Sequence, residues 1–321
     1  MADVPASKKA RRARIVFRQD DVAEKQHQAF TFSVATWNLW KTGGVPTSWE
    51  LRRDSVRRAL ATVSPDVLFV QELHPDIAET VLEGLGDRYS CVHESVLATL
   101  DGGKAQSEEE TIEGVPSGWF YEGNIFYNSQ LFELVESGTQ DIGQKERFRR
   151  LFWARLKPKN QNGRTILVST AHFTWQGHAA EWESDINLRK AQARATATFL
   201  DTVQRNSEPC IFGGDLNESY WPKAVLNFNH FFDCFSALRL PLRPTHPARP
   251  SVAHEENNAD SVLDWLFARR GKADASVQPI LARVMSDLVG LSSNDPDEEL
   301  QLGVQPSDHC MVMAVYRCWG E

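Results

Sequence analysis

The chain is poor in cysteine, and its few cysteines are poorly spaced for either a disulfide framework or a structural metal. The sequence has 321 residues and five cysteines, at positions 91, 210, 234, 310 and 318, with no CxxC pair among them. An odd number at wide spacing argues against a cross-linked extracellular scaffold and against a zinc ribbon. We therefore expect a protein of a reducing compartment.

Long apolar runs are also missing. No stretch approaches the roughly 18 apolar residues that a membrane-spanning helix needs. The basic cluster from Lys8 to Arg14 is not followed by the apolar segment of a secretory signal. The sequence thus predicts a soluble intracellular protein, either cytoplasmic or nuclear. The basic cluster has three interpretations: a nuclear-localisation signal, an arm that touches nucleic acid, or a solvated flexible tail.

A positive net charge is absent as well, since the formal net charge is −8. A broad basic surface binds DNA by displacing counterions from many phosphates, and this charge balance disfavours such a surface. A locally basic groove or a metal ion can still serve one phosphate, so a nuclease is not excluded. No strand leads into GxGxxG and no GxxxxGK[ST] loop occurs, which argues against dinucleotide and P-loop folds.

The apolar residues that are present form alternating strand and helix patterns after a charged N-terminal tail, residues 1–28. Residues 30–37 alternate with the period of a strand, 49–63 have helical spacing, and 67–70 form a continuous apolar run typical of a buried strand. Later segments predict helices over 77–85 and 186–203, and strands at 119–127, 151–157, 164–171, 210–212, 262–268 and 311–316. No linker-like break interrupts residues 29–321, which favours one α/β (α+β) domain with mixed sheets. A doubly wound open sheet is the alternative.

Polar residues of types that can act in catalysis or bind a metal follow the predicted buried strands. The segments that carry them end in Asn38, Glu72, His172, Asp215-Leu216-Asn217, Asp264 and Asp308-His309. Each of these alone has an ordinary explanation as a turn former or a helix cap. Taken together they are informative, because the ends of packed strands are where side chains converge on one pocket while the scaffold stays rigid.

The ordered set of motifs resembles the endonuclease/exonuclease/phosphatase (DNase I-like) superfamily. The resemblance extends from about residue 32 to residue 316 and rests on six short motifs in the family's order. They are Thr36-Trp37-Asn38, Gln71-Glu72, Thr170-Ala171-His172-Phe173, Gly214-Asp215-Leu216-Asn217, Leu263-Asp264-Trp265 and Ser307-Asp308-His309. This resemblance implies a four-layer α/β/β/α sandwich with two packed mixed β-sheets, and hydrolysis of a phosphate ester by activated water.

The resemblance also implies a divalent cation, Mg²⁺ or Mn²⁺, which favours hard oxygen ligands and neutralises phosphoryl charge. Glu72 would be the main metal ligand, with Asn38 and, as in some family members, Asp308. Asp215 would accept a hydrogen bond from the attacking water, and Asn217 would donate to the phosphoryl oxygens.

Two histidines complete the catalytic set that the resemblance implies. His309 would contact the phosphate, with Asp264 holding its ring in one tautomer. His172 would donate to the developing oxyanion or to the leaving oxygen. Whether Asp215 or His309 removes the proton from water stays open.

A further group of residues is a weaker expectation for substrate binding. Arg189, with Gln192, lies on the helix after His172, and an ion pair between helix and sheet is its alternative. Glu122 and Asn124 lie in the predicted strand 119–127, which resembles a family strand that faces the site. Trp175, in the loop after His172, could stack on or hydrogen-bond a substrate, and Thr245 lies in a loop that often approaches the substrate in this family; packing is the alternative for these residues. This set is Arg189, Glu122, Asn124, Trp175 and Thr245.

Subfamily features favour one branch without fixing the substrate. The Trp-Cys-Asp-Arg signature of inositol 5-phosphatases is absent, and His172-Phe173-Thr174-Trp175 is most similar to the deadenylase branch that includes nocturnin. We expect a phosphodiesterase acting on nucleic acid, DNA or RNA, or on a nucleotide derivative. The alternatives are a phosphomonoesterase or lipid- or inositol-headgroup hydrolase, and a catalytically silent scaffold that binds phosphorylated partners.

Overall fold

The alternating segments fold into two packed β-sheets flanked by helices. The computed structural model describes residues 29–40, 49–73, 75–92, 111–112, 115–116, 123–146, 149–160, 164–248, 259–272, 276–286 and 305–319. The predicted N-terminal tail, with its basic cluster, lies outside these residues, so the division into a tail and one domain over 29–321 stays a prediction. Among the described residues, no helix combines the length and the apolar character needed to cross a membrane.

The strands and helices largely follow the predicted segments. In chain order, the strands are β1 (Phe30–Asn38), β2 (Val67–Gln71), β3 (Tyr89–Cys91), β4 (Thr111–Ile112), β5 (Val115–Pro116), β6 (Gly123–Asn128), β7 (Phe132–Gln140), β8 (Leu151–Pro158), β9 (Ile166–Thr170), β10 (Cys210–Asp215), β11 (Phe232–Asp233), β12 (Asp264–Arg269), β13 (Ser276–Met285) and β14 (Met311–Trp319). The helices are α1 (Trp49–Val63), α2 (Pro75–Leu85), α3 (Ala179–Ser184), α4 (Leu188–Val203), α5 (Trp221–Phe228) and α6 (Cys234–Ala237).

Two six-stranded sheets carry the fold. The first has the order β13-β14-β1-β2-β6-β3 and the second has the order β11-β12-β10-β9-β8-β7, while β4 and β5 form a separate pair. Within each sheet one central pair is parallel, β1 with β2 and β9 with β10, and the other pairs are antiparallel. The predicted pair of mixed sheets is therefore confirmed.

Three apolar layers hold the four structural layers together. The sheets face each other across a core that includes Phe32, Phe69 and Ile211. The outer face of the first sheet packs on α1 and α2, and that of the second packs on α4 and α5. Fully burying one such side chain stabilises the fold by about 1.5–3 kcal/mol, so each layer has a large driving force for assembly. The α/β/β/α order is confirmed, and the alternative of a single open sheet is wrong because the strands divide between two sheets that bury one common core.

Helix α4 shows what sets the ends of a predicted helix. We expected it over 186–203, and it begins at Leu188 because the side chain of Asn187 accepts a hydrogen bond from the backbone N–H of Lys190. Its apolar face, which includes Ala193, Ala197 and Leu200, is buried against the second sheet. The N-cap thus fixes the start of the helix, and the spacing of apolar residues fixes its orientation.

Two long strands were not predicted, and both lie at sheet edges. β7 and β13 pair with one neighbour each, most of their positions are exposed or only partly buried, and glutamate, glycine and proline are among their residues. Such residues protect an edge strand from pairing with another chain, and they also weaken its apolar sequence pattern. The strand expected at 119–127 begins at Gly123 in the described residues, and 119–122 lie outside them.

Candidate active site

The polar residues of the site continue the inward-facing side of the core strands. Along β1, β2, β9, β10 and β12, every second residue lies in the core between the sheets, because successive side chains of a strand point to opposite faces. At one edge of both sheets, these inward positions become polar while remaining buried. They are Thr36, Asn38, Gln71, Thr170, His172, Asp215 and Asp264.

Strand register places these residues side by side. β1 and β2 are parallel, so their carboxyl ends meet, and Asn38 is opposite Gln71. β10 and β12 are antiparallel, so the end of one meets the start of the other, and Asp215 is opposite Asp264. The site therefore forms where four strands end or begin at a common edge.

A hydrogen-bonded polar layer separates the site from the apolar core. The Gln71 amide donates to Thr170 Oγ1 at 2.9 Å, which links the first sheet to the second. Thr36 Oγ1 donates to Gln71 Oε1 at 3.3 Å within the first sheet. All three residues are at most 1% exposed, and their buried polar groups are satisfied by hydrogen bonds to one another.

Gly214 permits a very close approach between β10 and the segment after β9. It has φ +149°, and a Cβ built there would lie 2.0 Å from the carbonyl oxygen of Ala171. Only glycine fits such a contact. The flanking residues are consequently drawn together, and His172 Nε2 lies 3.4 Å from Asp215 Oδ2.

An acid–imidazole pair crosses from one sheet to the other beside Asp215. His309 precedes β14 of the first sheet, and its Nδ1 lies 2.8 Å from Oδ2 of Asp264, which begins β12 of the second. The other ring nitrogen, Nε2, lies 3.7 Å from Asp215 Oδ2. Thr245 fixes Asp264 from behind, because its hydroxyl accepts the Asp264 backbone N–H at 3.1 Å.

These neighbours perturb the protonation of both groups. Burial alone would lower the pKa of His309, but the carboxylates of Asp264 and Asp215 outweigh it and raise that pKa well above its ordinary value. Burial alone would raise the pKa of Asp215, but His309 and His172, with hydrogen bonds from Asn38 and Asn217, hold it below its ordinary value. The groups titrate together, and we assign the shared proton to His309 and the negative charge to Asp215.

Two asparagines hold Asp215 in place. Asn38 Nδ2 donates to Asp215 Oδ2 at 3.0 Å, and the backbone N–H of Asn217 donates to Asp215 Oδ1 at 2.8 Å. Asn217 has φ 51°, a left-handed conformation that asparagine tolerates, and its side-chain amide donates to the Phe173 carbonyl at 2.9 Å. The loop after β10 is thus tied to the loop after β9.

Asn38 also connects Asp215 to the carboxylates on the first sheet. The same Nδ2 donates to Glu72 Oε1 at 3.1 Å, while Oδ1 accepts the backbone N–H of Trp40 at 2.9 Å. Glu72 has φ 55°, a strained conformation for glutamate that often occurs at functional sites. The amide nitrogen of Asn38, and not its oxygen, therefore faces the two carboxylates.

Arg52 is a residue of this region that sequence analysis did not single out. It is fully buried on α1 and donates to the carbonyl oxygens of Leu39 and Pro306 at 3.1 and 2.8 Å, which braces two loops of the site. Burial lowers its pKa to about 10, although the nearby Asp308 and Glu72 raise it. Its helical phase with Val56 and Leu60, on the buried face of α1, was the signal that could have identified it.

The donor set around Asn38 suits a hard divalent cation. Glu72 and Asp308 are carboxylates within electrostatic reach of the guanidinium of Arg52, and Glu72 is only partly buried. Carboxylate oxygens are the ligands that Mg²⁺ and Mn²⁺ prefer. The residues present therefore fit a cation of this type.

Two of the residues expected to bind substrate, Arg189 and Gln192, make hydrogen bonds to other residues of the protein. Arg189 is buried, and it donates to Glu218 at 2.9 Å, to Glu181 at 2.6 Å and to the Trp175 carbonyl at 3.1 Å, so its described contacts are all with the protein. Gln192 is likewise engaged with Thr174.

The other expected substrate-binding residues differ in exposure. Thr245 and Asn124 are fully buried, and Asn124 Nδ2 has no hydrogen-bond partner among the described residues. Trp175 is 49% exposed in the loop after His172. Glu122 lies outside the described residues. Among the members of this set that the structure describes, Trp175 alone combines exposure with a position directly after the site.

The sequence matches one family along most of its length. The sequence profile of the Endonuclease/Exonuclease/phosphatase family matches residues 35–309. At the level of sequence alone, the chain has no significant match among curated proteins.

Several solved structures share the fold at low sequence identity. D. rerio TDP2, solved with a single-strand DNA product, has a TM-score of 0.62 at 19% identity, with 89% of this chain and 98% of that chain covered. A mannosyl-6-phosphatase of Bacteroides thetaiotaomicron has a TM-score of 0.62 at 18% identity, with 88% of this chain and 98% of that chain covered. Truncated Caenorhabditis elegans TDP2 has a TM-score of 0.59 at 15% identity, with 89% and 98% covered. Likeness at this level of identity establishes the fold.

Proposed function

The chain belongs to the endonuclease/exonuclease/phosphatase family, and from this membership we propose that it is a divalent-metal-dependent phosphodiesterase acting on nucleic acid or a nucleotide derivative. Members of the family are phosphoester hydrolases and are usually metal-dependent. The observation that carries the proposal is the position of Asp215, which lies between His172 and His309 and is joined to Glu72 through Asn38.

Asp215 is the group that would orient the attacking water. Its carboxylate stays ionised because two imidazoles and two hydrogen-bond donors hold its pKa down. An ionised carboxylate accepts a hydrogen bond from water and turns a lone pair of the water oxygen toward phosphorus. Because His309 already carries the shared proton, Asp215 is the group that would accept the proton of the water.

The two histidines would offset the charge that builds on the phosphate. His309 carries a proton at neutral pH because Asp264 and Asp215 stabilise the imidazolium, and a fixed cation stabilises the more highly charged transition state. His172, across Asp215 from His309, would donate to a non-bridging oxygen or to the leaving oxygen. Asn217 would join them as an amide donor if its bond to Phe173 is exchanged for one to the substrate.

Glu72, Asp308 and Asn38 would hold the cation, as the motifs predict, and the Asn38 amide nitrogen also ties Glu72 to Asp215. When bound, Mg²⁺ or Mn²⁺ would polarise a phosphoryl oxygen and lower the pKa of water. Arg52 would position this half of the site through the carbonyls of Leu39 and Pro306. The remaining predicted residues, Arg189 and Thr245, would act by positioning the loops that carry the reacting groups.

The choice between diester and monoester rests on features outside the reacting centre. The fold is shared with TDP2, solved with a DNA product, and with a mannosyl-6-phosphatase, so both substrate types are compatible with the scaffold. The exposed indole of Trp175 favours a substrate with a base to stack on. The monoesterase stays the second candidate, and Glu122 and Asn124 remain weaker proposals for substrate contact.

Hydrolysis of bis-(p-nitrophenyl) phosphate measured beside the p-nitrophenyl monoester tests the proposal. We expect faster release of nitrophenol from the diester, abolition by EDTA, and recovery when Mg²⁺ or Mn²⁺ is added back. Preference for the monoester would favour the second candidate. Hydrolysis of neither ester, with binding of a phosphate ester retained, would show a silent scaffold and contradict the enzymatic proposal.

A further inference from the structure

A third histidine lies beside the acid–imidazole pair. His246 is fastened in a short bridge to Ser261, with backbone hydrogen bonds of 3.1 and 2.7 Å in the two directions. The residues around it bond to the loop before β14, since Ala248 N donates to the Asp308 carbonyl and Cys310 N donates to the Thr245 carbonyl at 2.7 Å. The backbone therefore holds His246 against Asp308 and His309.

The three side chains present ligand-type atoms to one another. The rings of His246 and His309 have centroids 4.6 Å apart, and His246 Nε2 lies 3.9 Å from Asp308 Oδ2. One ligand atom from each of the three residues lies within 4.8 Å of the others. Around a tetrahedral ion with bonds of about 2.0–2.2 Å, ligand atoms are about 3.4 Å apart, so small side-chain rotations bring the three together.

The chemistry of this set differs from that of the Glu72 region. Two imidazoles and one carboxylate suit Zn²⁺ or another transition metal, whereas Mg²⁺ prefers oxygen ligands alone. Asp264 contacts Nδ1 of His309 at 2.8 Å, which fixes the ring and leaves Nε2 as the metal-binding nitrogen. A carboxylate in this position is the usual outer partner of a zinc-bound histidine.

We propose that His246, Asp308 and His309 bind a transition-metal cation of the Zn²⁺ type, and that this cation inhibits the enzyme. Nε2 of His309 lies 3.7 Å from Asp215; Zn²⁺ would replace the proton on this nitrogen, which passes to the buffer, so Nε2 could no longer donate to a phosphate. Asp308 would be withdrawn from the Mg²⁺ site at the same time. The binding itself stands independently of the reaction, while the inhibition rests on the proposed function.

Zn²⁺ titration of the full chain against a chromophoric chelator, in buffer containing Mg²⁺, tests the binding. We expect His246→Gln to weaken Zn²⁺ affinity by at least about tenfold. His230→Gln removes an exposed histidine elsewhere and serves as the matched control, with unchanged affinity expected. Equal affinities in the wild type and in His246→Gln would overturn the proposed site.

A second variant gives a positive signal that does not depend on loss of binding. His246→Cys replaces an imidazole with a thiolate, which is also a good ligand for Zn²⁺ and Co²⁺. We expect this variant to bind Co²⁺ with a thiolate-to-cobalt charge-transfer absorption that the wild type lacks. A folded variant that binds Co²⁺ without this absorption would show that residue 246 does not touch the metal.

The inhibition is measured separately, as the Zn²⁺ dependence of the Mg²⁺-supported diester hydrolysis, with each variant normalised to its own rate without Zn²⁺. The half-inhibiting Zn²⁺ concentration should rise at least about tenfold in His246→Gln, in parallel with the loss of affinity. Weakened binding with unchanged inhibition would overturn the inhibitory role. A chain that hydrolyses no ester contradicts the proposed function and leaves the chelator titration as the test of the site.

Discussion

The two ends of strand β10 each bury a carboxylate, and the two carboxylates are stabilised in opposite ways. At the amino end, Glu208 accepts a fork of hydrogen bonds from Arg155, Nε at 2.8 Å and Nη2 at 3.2 Å. At the carboxyl end, Asp215 contacts two imidazoles at 3.4 and 3.7 Å. Both acids are 1% exposed, so burial alone does not distinguish them.

The difference lies in whether the countercharge can change. The guanidinium of Arg155 is permanently charged, and it also bonds Glu136 and the Val203 carbonyl, so its donors are occupied by the protein. An imidazole, unlike a guanidinium, is a group that can pass its proton to a substrate or to solvent. A buried charge with a permanent partner stabilises a fold, whereas one with a titratable partner is suited to chemistry. The following four variants test this distinction, from the largest expected effect to the smallest.

Asp215→Asn should separate activity from stability at the carboxyl end. We expect kcat for the diester to fall by about 10²–10⁴-fold, because the amide cannot accept a proton or orient water as a carboxylate does. The unfolding midpoint should change little, since asparagine keeps the shape of the side chain. Near-normal turnover in this variant would contradict the proposed role of Asp215.

Arg155→Met should have the opposite profile at the amino end. Removing the guanidinium leaves the buried Glu208 carboxylate with the backbone N–H of Arg205 but without its cationic partner, and we expect a loss of about 3–5 kcal/mol in the free energy of unfolding, measured with urea. The double variant Arg155→Met with Glu208→Leu should recover most of this loss, because it removes both charges. A large drop in kcat for the folded Arg155→Met variant would contradict the assignment of a structural role to the amino end of β10 and a catalytic role to its carboxyl end.

Glu72→Gln tests the metal half of the site. The substitution keeps the hydrogen-bonding side chain and removes the negative charge, so we expect about 10–100-fold more Mg²⁺ to be needed for half-maximal activity. Glu79→Gln, at an exposed position of α2, is the control. An unchanged Mg²⁺ requirement would count against Glu72 as a ligand.

Arg189→Lys distinguishes a positioning role from substrate binding. Lysine cannot reproduce the fork that joins Glu181, Glu218 and the Trp175 carbonyl. We expect a loss of about 1–3 kcal/mol in stability and a modest fall in kcat, with KM unchanged. A raised KM at full stability would show that Arg189 contacts the substrate instead.

The sequence predicted which residues meet because period and position were both visible in it. Apolar residues at alternate positions of β1, β9 and β10 assign the inward face, and Asn38, His172 and Asp215 continue the same phase. The family motifs then ordered the polar residues. Sequence alone did not indicate which amide atom of Asn38, or which ring nitrogen of His309, faces which carboxylate, because that depends on the packing angle of the two sheets.

Other residues could not be placed without the tertiary structure. Arg189 carried a signal for ligand binding, and its engagement with Glu181 and Glu218 depends on α3 and on the loop after β10. Arg52 and His246 reach the site through helix packing and a loop bridge. The edge strands β7 and β13 were missed because most of their positions are exposed or only partly buried, which dilutes the apolar pattern.

Three side-chain hydrogen bonds cross between the sheets at the site, from Gln71 to Thr170, from Asn38 to Asp215, and between His309 and Asp264. Neither layer alone contains a complete set of reacting groups. The rate of hydrolysis should therefore depend on the alignment of the two sheets, and a small displacement of one sheet against the other would lower activity without unfolding the chain. A hydrolysis assay is in that respect a sensitive measure of how well the apolar core between the sheets is packed.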